Sequence, residues 1–244
     1  MKEWITNRNP VYEALRVRRR HFFNLLIQQD IRIEGRLKQI VDFARQYKLP
    51  VREATKQQLG QIDRNHQGLA LETSSYPYAA LADLLAYSKG RGEPGFFLLL
   101  DLIQDPQNLG SLLRTAELMG IHGVIIPSSQ AAQVTPGVVH ASAGATEHLL
   151  ITQYNLVQAI ERLKKDLDIW VYGLDATPEA KSPDQLNLKG GIALVVGNEG
   201  EGLRSLVRKN CDEIMCLPQY GQIDSLNAAV AGSIALYLAR QARP

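Results

Sequence analysis

Three short stretches hold the residues best suited to chemistry. Residues 103–110 read IQDPQNLG and lead from an apolar run into a helical pattern that carries Asn108 and Arg114. A guanidinium such as that of Arg114 offers several donors in a fixed plane to a phosphate or a ribose oxygen. It stays charged and has no acceptor, so it is no conventional base. On spacing alone, an ion pair with Glu117 is the blander role. Residues 195–203 read VVGNEGEGL, three glycines spaced G-N-E-G-E-G after an apolar run. Glycine there lets a ligand or another segment approach the backbone, and a tight turn before a helix would use it in the same way. The spacing is neither GxGxxG nor a Walker loop. Glu199 and Glu201 suit a cationic or hydroxyl-bearing ligand better than a pyrophosphate. Residues 217–227 read LPQYGQIDSLN: a strand ends at Pro218, and a helix follows for which Asp224 or Ser225 supplies the cap. Ser225 and Asn227 put short polar groups at that helix start. Ala228, Ala229, Ala231, Gly232 and Ala235 then permit close packing against a loop or a second copy.

These stretches need a scaffold that brings three loops to one edge. Strand patterns at 96–103, 122–127, 168–173, 192–196 and 213–217 alternate with helical patterns at 109–119, 155–167, 202–209 and 225–240. That alternation predicts an α/β fold with a largely parallel sheet covered on both faces. Such sheets place ligands beyond the carboxyl ends of their strands. Ahead of it, NRNPVYEALR predicts a helix capped by Asn9 with Pro10 in its first turn. A strand at 21–28, a helix at 36–47, a strand from Val51, a short helix at 53–60 and a strand near Leu69 complete a small α/β module. A helix over 77–87 precedes SKGRGEPG at 88–95, the clearest linker in the chain. The expected division is therefore 1–75, a linker at 76–95, and 96–244.

Bulk properties bound the reading. The chain has 244 residues, 45% of them hydrophobic, enough for packed cores. Its net charge is only +2, but residues 1–94 hold 16 Lys/Arg against 10 Asp/Glu, and residues 95–244 hold 11 against 15. A basic amino-terminal part could hold a phosphate backbone, and ordinary surface chemistry could give the same imbalance. Cys211 and Cys216 form no CxxC pair, and no Cys/His spacing suggests a metal; reduced structural cysteines in the cytoplasm are expected. The opening MKEWITNRNP lacks the apolar run of a signal peptide. FFLLLDLI is too short to cross a membrane, so no membrane association is expected.

The stretches QDPQNLGSLLRTAELMG, ALVVGNEGEGLRSLVRKNCD and LPQYGQIDSLNAAVAGSIALYLARQ together resemble, in order and separation, the three motifs of the SpoU or TrmH-like family of SPOUT RNA 2′-O-methyltransferases. The resemblance covers about 95–241. NRNPVYEALR and HQGLAL also resemble the small substrate-binding domain of bacterial ribosomal-RNA members. It implies a carboxy-terminal domain threaded into a deep trefoil knot, a bent S-adenosylmethionine held in the knotted loops, and a homodimer. It assigns the cofactor to the segment near Gly173, to Gly197 and its loop, and to Leu217 through Ser225 and Leu226. Asn108, Arg114, Glu199, Ser225 and Asn227 match the polar positions lining the family's site. Arg114 would hold a phosphate and stabilise alkoxide charge, and Glu199 would orient Arg114 or Asn108 or take the proton. Two departures stand out: Ala228-Ala229-Val230 replaces the usual Val-Ser-Val, and Asn198 sits in the glycine loop.

The run Arg16, Arg18, Arg19 and Arg20 is expected to contact RNA phosphate, with a solvated surface as the alternative. Phe22 and Phe23 fit a core better than base stacking. His66, His122, His140 and His148 read as structural or surface residues. The substrate implied is ribosomal RNA, of the large-subunit 23S type. Transfer RNA is the runner-up, and a silent ribosome-assembly factor is the alternative of another class. A nicotinamide oxidoreductase is disfavoured because the strand–GxGxxG–helix unit is absent.

Overall fold

A computed structural model describes residues 2–198, 200, 202–223 and 225–243; Met1, Glu199, Glu201, Asp224 and Pro244 lie outside the described residues. The chain divides into two compact units. One comprises Met1–Pro77 with Val134–His148, the other Tyr78–Gln133 with Leu149–Pro244.

The first unit opens with β1 (Lys2–Thr6), α1 (Arg8–Val17), β2 (Phe22–Gln28), α2 (Gly35–Gln46), β3 (Val51–Ala54), α3 (Lys56–Ile62) and β4 (Leu69–Ser74). Its four-stranded sheet has the order β1-β4-β2-β3. β4 pairs antiparallel with both β1 and β2, and β2 pairs parallel with β3. Helix α2 buries Leu37, Ile40, Val41 and Ala44, the stripe its 3.6-residue period requires. Helix α3 starts in a capping box made by Thr55 and Gln58.

The second unit begins with α4 (Leu81–Gly90), β5 (Phe96–Leu100), α5 (Pro106–Leu118) and β6 (Gly123–Ile126). The chain then contributes α6 (Pro136–Ala141) and a 3-10 turn at Ala145–His148 to the first unit. There Arg20 is buried, its guanidinium donating to Glu147 at 2.8–3.1 Å and also to Glu3. Burial works against both charges. Even so, the paired carboxylates hold Arg20 above its ordinary pKa, while burial raises Glu3 above the usual carboxylate value.

The second unit resumes with β7 (Ile151–Gln153), α7 (Leu156–Leu167), β8 (Trp170–Leu174), β9 (Ile192–Val196), α8 (Ser205–Asn210), β10 (Glu213–Met215) and α9 (Ala228–Ala242). Its six-stranded sheet runs β10-β8-β9-β5-β6-β7, and every pairing is parallel. β5 and β9 are buried along their whole length, as central strands covered on both faces must be. Among the described residues no helix is long and apolar enough to cross a membrane.

Several details differ from the sequence expectation. Asn7, not Asn9, precedes α1, and Asn227, not Asp224 or Ser225, caps α9; Asp224 lies outside the described residues. Strands β1 and β7 and helix α6 were not anticipated. The helix expected over 77–87 is α4, shifted toward the carboxyl end to Leu81–Gly90, and it buries Leu81, Leu84 and Leu85. The units are also not contiguous in sequence, because 134–148 packs with the amino-terminal residues.

Candidate active site

The site lies at the carboxyl ends of β8, β9 and β10, where loops follow each strand. A cavity of about 290 Å³ is lined there by Asp175, Gly197, Leu217, Ser225, Leu226 and neighbouring residues. It sits at the lower end of the ~300–1,000 Å³ typical of small-ligand sites.

The loop after β9 closes on itself. Asn198 and Gly202 exchange backbone hydrogen bonds at 3.2 and 3.0 Å, and the Gly200 amide donates to Asn198 Oδ1 at 3.1 Å. A Cβ on Gly197 would collide with the Gly202 carbonyl, and Gly202 has φ +66. Both positions therefore demand glycine, one for close approach and one for conformation. The loop is then pinned from β5: the wholly buried Asp101 accepts from the Arg204 backbone N–H at 2.9 Å and from its Nε at 2.7 Å. Asp101 and Arg204 escaped the sequence reading. Asp101 stands at the carboxyl end of an apolar strand, and that position was the available signal.

Helix α9 supplies another wall through Ala228 and Ala231, and α5 is hydrogen-bonded to it from outside the cavity lining. Asp105 caps α5 by accepting from the Gln107 amide at 2.9 Å, with Pro106 in the first turn. Asn227 Oδ1 caps α9 by accepting from Ala229 and Val230 at 2.9 and 3.2 Å. Its amide nitrogen, so oriented, donates to Asn108 Oδ1 at 3.1 Å. The two helices are further tied by Thr115 and Ser233, whose hydroxyls lie 2.9 Å apart. At Gly232 an added Cβ would meet Leu112 at 2.5 Å and Val196 at 3.0 Å, so the small residues of α9 serve close packing.

The structure thus brings Asn108 and Asn227 together, and sets Gly197, Leu217, Ser225 and Leu226 around one cavity. Gly173 does not line it. That residue is buried on β8, where a Cβ would strike Leu203, so its smallness makes room for packing while Leu174 and Asp175 face the cavity. Arg114 is exposed on α5, and no partner for it occurs among the described residues; the ion pair with Glu117 is not formed. Glu199 lies outside the described residues. In the amino-terminal unit, Arg20 is enclosed by Glu147 and Glu3 and is withdrawn from any phosphate. Arg16 pairs with Glu13 at 2.9 Å, Arg18 lies 4.0 Å over the Tyr47 ring, and Arg19 donates to the Pro77 carbonyl at 3.2 Å.

The chemistry of the cavity suits a cationic, hydroxyl-bearing ligand. Asp175 is its carboxylate, and no Lys, Arg or His lines it among the described residues. The remaining wall combines apolar residues such as Leu174, Val196, Met215 and Leu226 with three glycines of the loop after β9, Gly197, Gly200 and Gly202. Nearby Cys211 is no nucleophile: burial pushes its thiol up to about 12. No cluster of metal-ligating side chains occurs among the described residues.

Residues 95–237 match the SpoU rRNA methylase family, and residues 6–79 match the family described as RNA 2′-O ribose methyltransferase substrate binding. The Bacillus subtilis (strain 168) protein YacO, named for the TrmH family of tRNA/rRNA methyltransferases, is 35% identical over 96% of this chain and 94% of its own. An AdoMet-bound rRNA methyltransferase from Sinorhizobium meliloti superposes with a TM-score of 0.81 at 23% identity, over 98% of this chain and 87% of that one. The TrmH/SpoU tRNA modifying enzyme of A. aeolicus gives 0.56 at 22% identity, over 66% of this chain and 81% of that one. At those identities the two superpositions speak for the fold.

Proposed function

Because the chain belongs to the SpoU methylase family of S-adenosylmethionine-dependent RNA 2′-O-methyltransferases, we propose that it methylates a ribose 2′-hydroxyl of ribosomal RNA, of the 23S type. The observation that carries the chemistry is the cavity at the sheet's carboxyl edge, lined by the Asp175 carboxylate and by Leu226 and Ala228, the residues on either side of Asn227, which bonds Asn108. The observation that favours ribosomal RNA is the amino-terminal unit. The Sinorhizobium meliloti rRNA methyltransferase aligns over 98% of the chain, whereas the A. aeolicus tRNA enzyme aligns over 66%.

S-adenosylmethionine, when bound, supplies a methyl group on a sulfonium leaving group. Gly197, Leu217 and Leu226 would hold it largely through backbone, with Asp175 and Ser225 offering polar contacts. The protein's work is then alignment and charge. Arg114 holds a substrate phosphate and stabilises the developing alkoxide, and Asn108, fixed by Asn227, orients the ribose. The hydroxyl proton goes to that phosphate or to Glu199. Gly173 acts indirectly, by seating Leu203 beneath the loop. The knotted threading belongs to the same proposal, supported by the central place of β9 and by the loops that follow it and β10.

A homodimer is part of the proposal. Helix α9 exposes Val230, Ile234 and Tyr237 at helical spacing, 39–53% accessible, and α5 exposes Leu118. Multi-angle scattering should give twice the 27.1 kDa chain mass; a monomer would refute that part. Substrate choice is tested by incubating protein and labelled S-adenosylmethionine with separated ribosomal and transfer RNAs. Label in large-subunit RNA supports the assignment. Label in transfer RNA alone keeps the chemistry and overturns the substrate. Label in neither RNA moves a silent assembly factor forward.

A further inference from the structure

The amino-terminal unit holds an open cavity of about 850 Å³ between the start of α1, the start of α3, and the turns at 28–31 and 64–68. That is ample for a small ligand. Its lining includes Arg8, Lys56 and Arg64, none of which forms an ion pair among the described residues. No acidic side chain lines it. The adjacent Asp63 is occupied, one oxygen accepting from the Thr6 hydroxyl and the other from the Asn65 amide at 2.9 Å. His66 forms a fixed wall, because its Nδ1 accepts from the Gly68 amide at 2.9 Å.

The floor is unfinished. Asn7 is 4% exposed and lines the cavity, yet it makes no capping bond to α1. Its amide nitrogen lies 2.6 Å from His140 Nε2, and its Oδ1 has no partner. Turning the amide over would exchange its two ends and still leave one unmet. Beside it Arg8 Nε is also buried without an acceptor. Unmet buried polar atoms of this kind are costly and uncommon in a finished core. An asparagine amide and a neighbouring guanidinium together present the donor–acceptor pattern that a nucleobase edge satisfies. The exposed cations Lys56 and Arg64 lie outside that floor, where the phosphates of a continuing chain would remain in solvent.

We propose that this cavity receives one unstacked nucleotide of the RNA substrate, its base edge on Asn7 and Arg8 and its flanking phosphates on Lys56 and Arg64. The proposal rests on the RNA-methyltransferase reading and places the RNA contact away from the arginine run at 16–20.

The test uses the full chain and a fluorescent 12-nucleotide single-stranded RNA of mixed sequence, read by anisotropy across salt concentrations. Two variants are compared: Lys56→Gln/Arg64→Gln, both exposed, and Asn7→Gly, which suits the φ of 70 at that position and is checked by thermal melting. The double variant should weaken binding about 10-fold and lower the salt slope by roughly 1.4, about 0.7 for each lost phosphate contact on a single strand. Asn7→Gly should weaken binding about 5-fold or more with the slope unchanged. S-adenosylmethionine affinity should be unchanged in both, and adenosine or guanosine monophosphate should compete with the RNA. Wild-type RNA binding with unaltered variants would overturn the pocket alone. Monophosphate binding that leaves RNA binding untouched would mark a free-nucleotide site and overturn the RNA assignment. A wild-type chain that binds no RNA would overturn the pocket and the RNA reading together.

Discussion

Asn227 and Asn108, 119 positions apart, are joined by a hydrogen bond of 3.1 Å whose direction is fixed by a helix cap. Because Asn227 Oδ1 is taken by the amides of Ala229 and Val230, only its nitrogen can face α5. One side chain thus both starts α9 and orients the residue proposed to hold the ribose. Asn227→Ala removes both functions. It should cost ~1 kcal/mol of stability through the lost cap, and methyl transfer should fall further than cofactor affinity. Equal losses in the two would reduce Asn227 to a cap.

Arg114 is exposed on α5, so Arg114→Ala should change stability by no more than about 0.5 kcal/mol. Methyl transfer should fall by ~10²–10³, the usual consequence of removing a donor to developing negative charge. Turnover at the wild-type rate would remove Arg114 from the mechanism.

Asp101 and Arg204 pin the glycine loop through a backbone and a side-chain bond. Asp101→Asn should weaken S-adenosylmethionine binding about 10-fold, in line with the worth of charge-assisted bonds. Arg204→Ala, which keeps the backbone bond, should weaken it less. Calorimetry with the cofactor separates these outcomes, and wild-type affinity in Asp101→Asn would show that the loop holds its shape unaided.

In the amino-terminal unit, Glu147→Gln leaves Arg20 buried with a weakened partner set. A loss of ~3–5 kcal/mol in urea unfolding is expected. Replacing Arg20 and Glu147 together by Met and Leu should cost far less than the two single changes combined. Additive losses would contradict the pairing.

His122 is buried between Ser88, 2.9 Å away, and Glu93, 3.2 Å away, and desolvation holds its pKa below the ordinary histidine value despite the carboxylate. Above about pH 6.5 the ring is neutral in folded and unfolded chains alike, and it contributes no slope. As pH falls below that value the unfolded chain takes up the proton first, so stability declines. His122→Gln should flatten the melting temperature between about pH 6.5 and 5. An unchanged slope would refute the assignment.

The sequence made the parallel sheet and three of its loops legible because long apolar runs and glycine spacing are local signals. FFLLL and IALVV could hardly be anything but central strands. What it concealed was non-local. Strand β1 exists because KEWIT finds β4 some seventy residues away, and no turn signal announces that pairing. The arginine run looked like one basic patch, but Arg20 meets Glu147, 127 positions later, and leaves the surface. Helix α9 starts at Ala228 rather than near Asp224 because Asn227 makes the capping bonds, whereas the sequence pointed to Asp224 or Ser225 as the cap. Gly173 was read as a ligand contact, whereas its neighbours fill the space beside it with Leu203.

Ribose methylation leaves a chemical mark that base methylation does not: alkali cannot cleave next to a blocked 2′-hydroxyl. The most direct measurement is therefore transfer of labelled methyl from S-adenosylmethionine to RNA, followed by alkaline hydrolysis and separation of the products. Label is expected in alkali-stable dinucleotides with the wild-type chain and at background with Arg114→Ala. Label in mononucleotides would place the methyl on a base and contradict 2′-O-methylation.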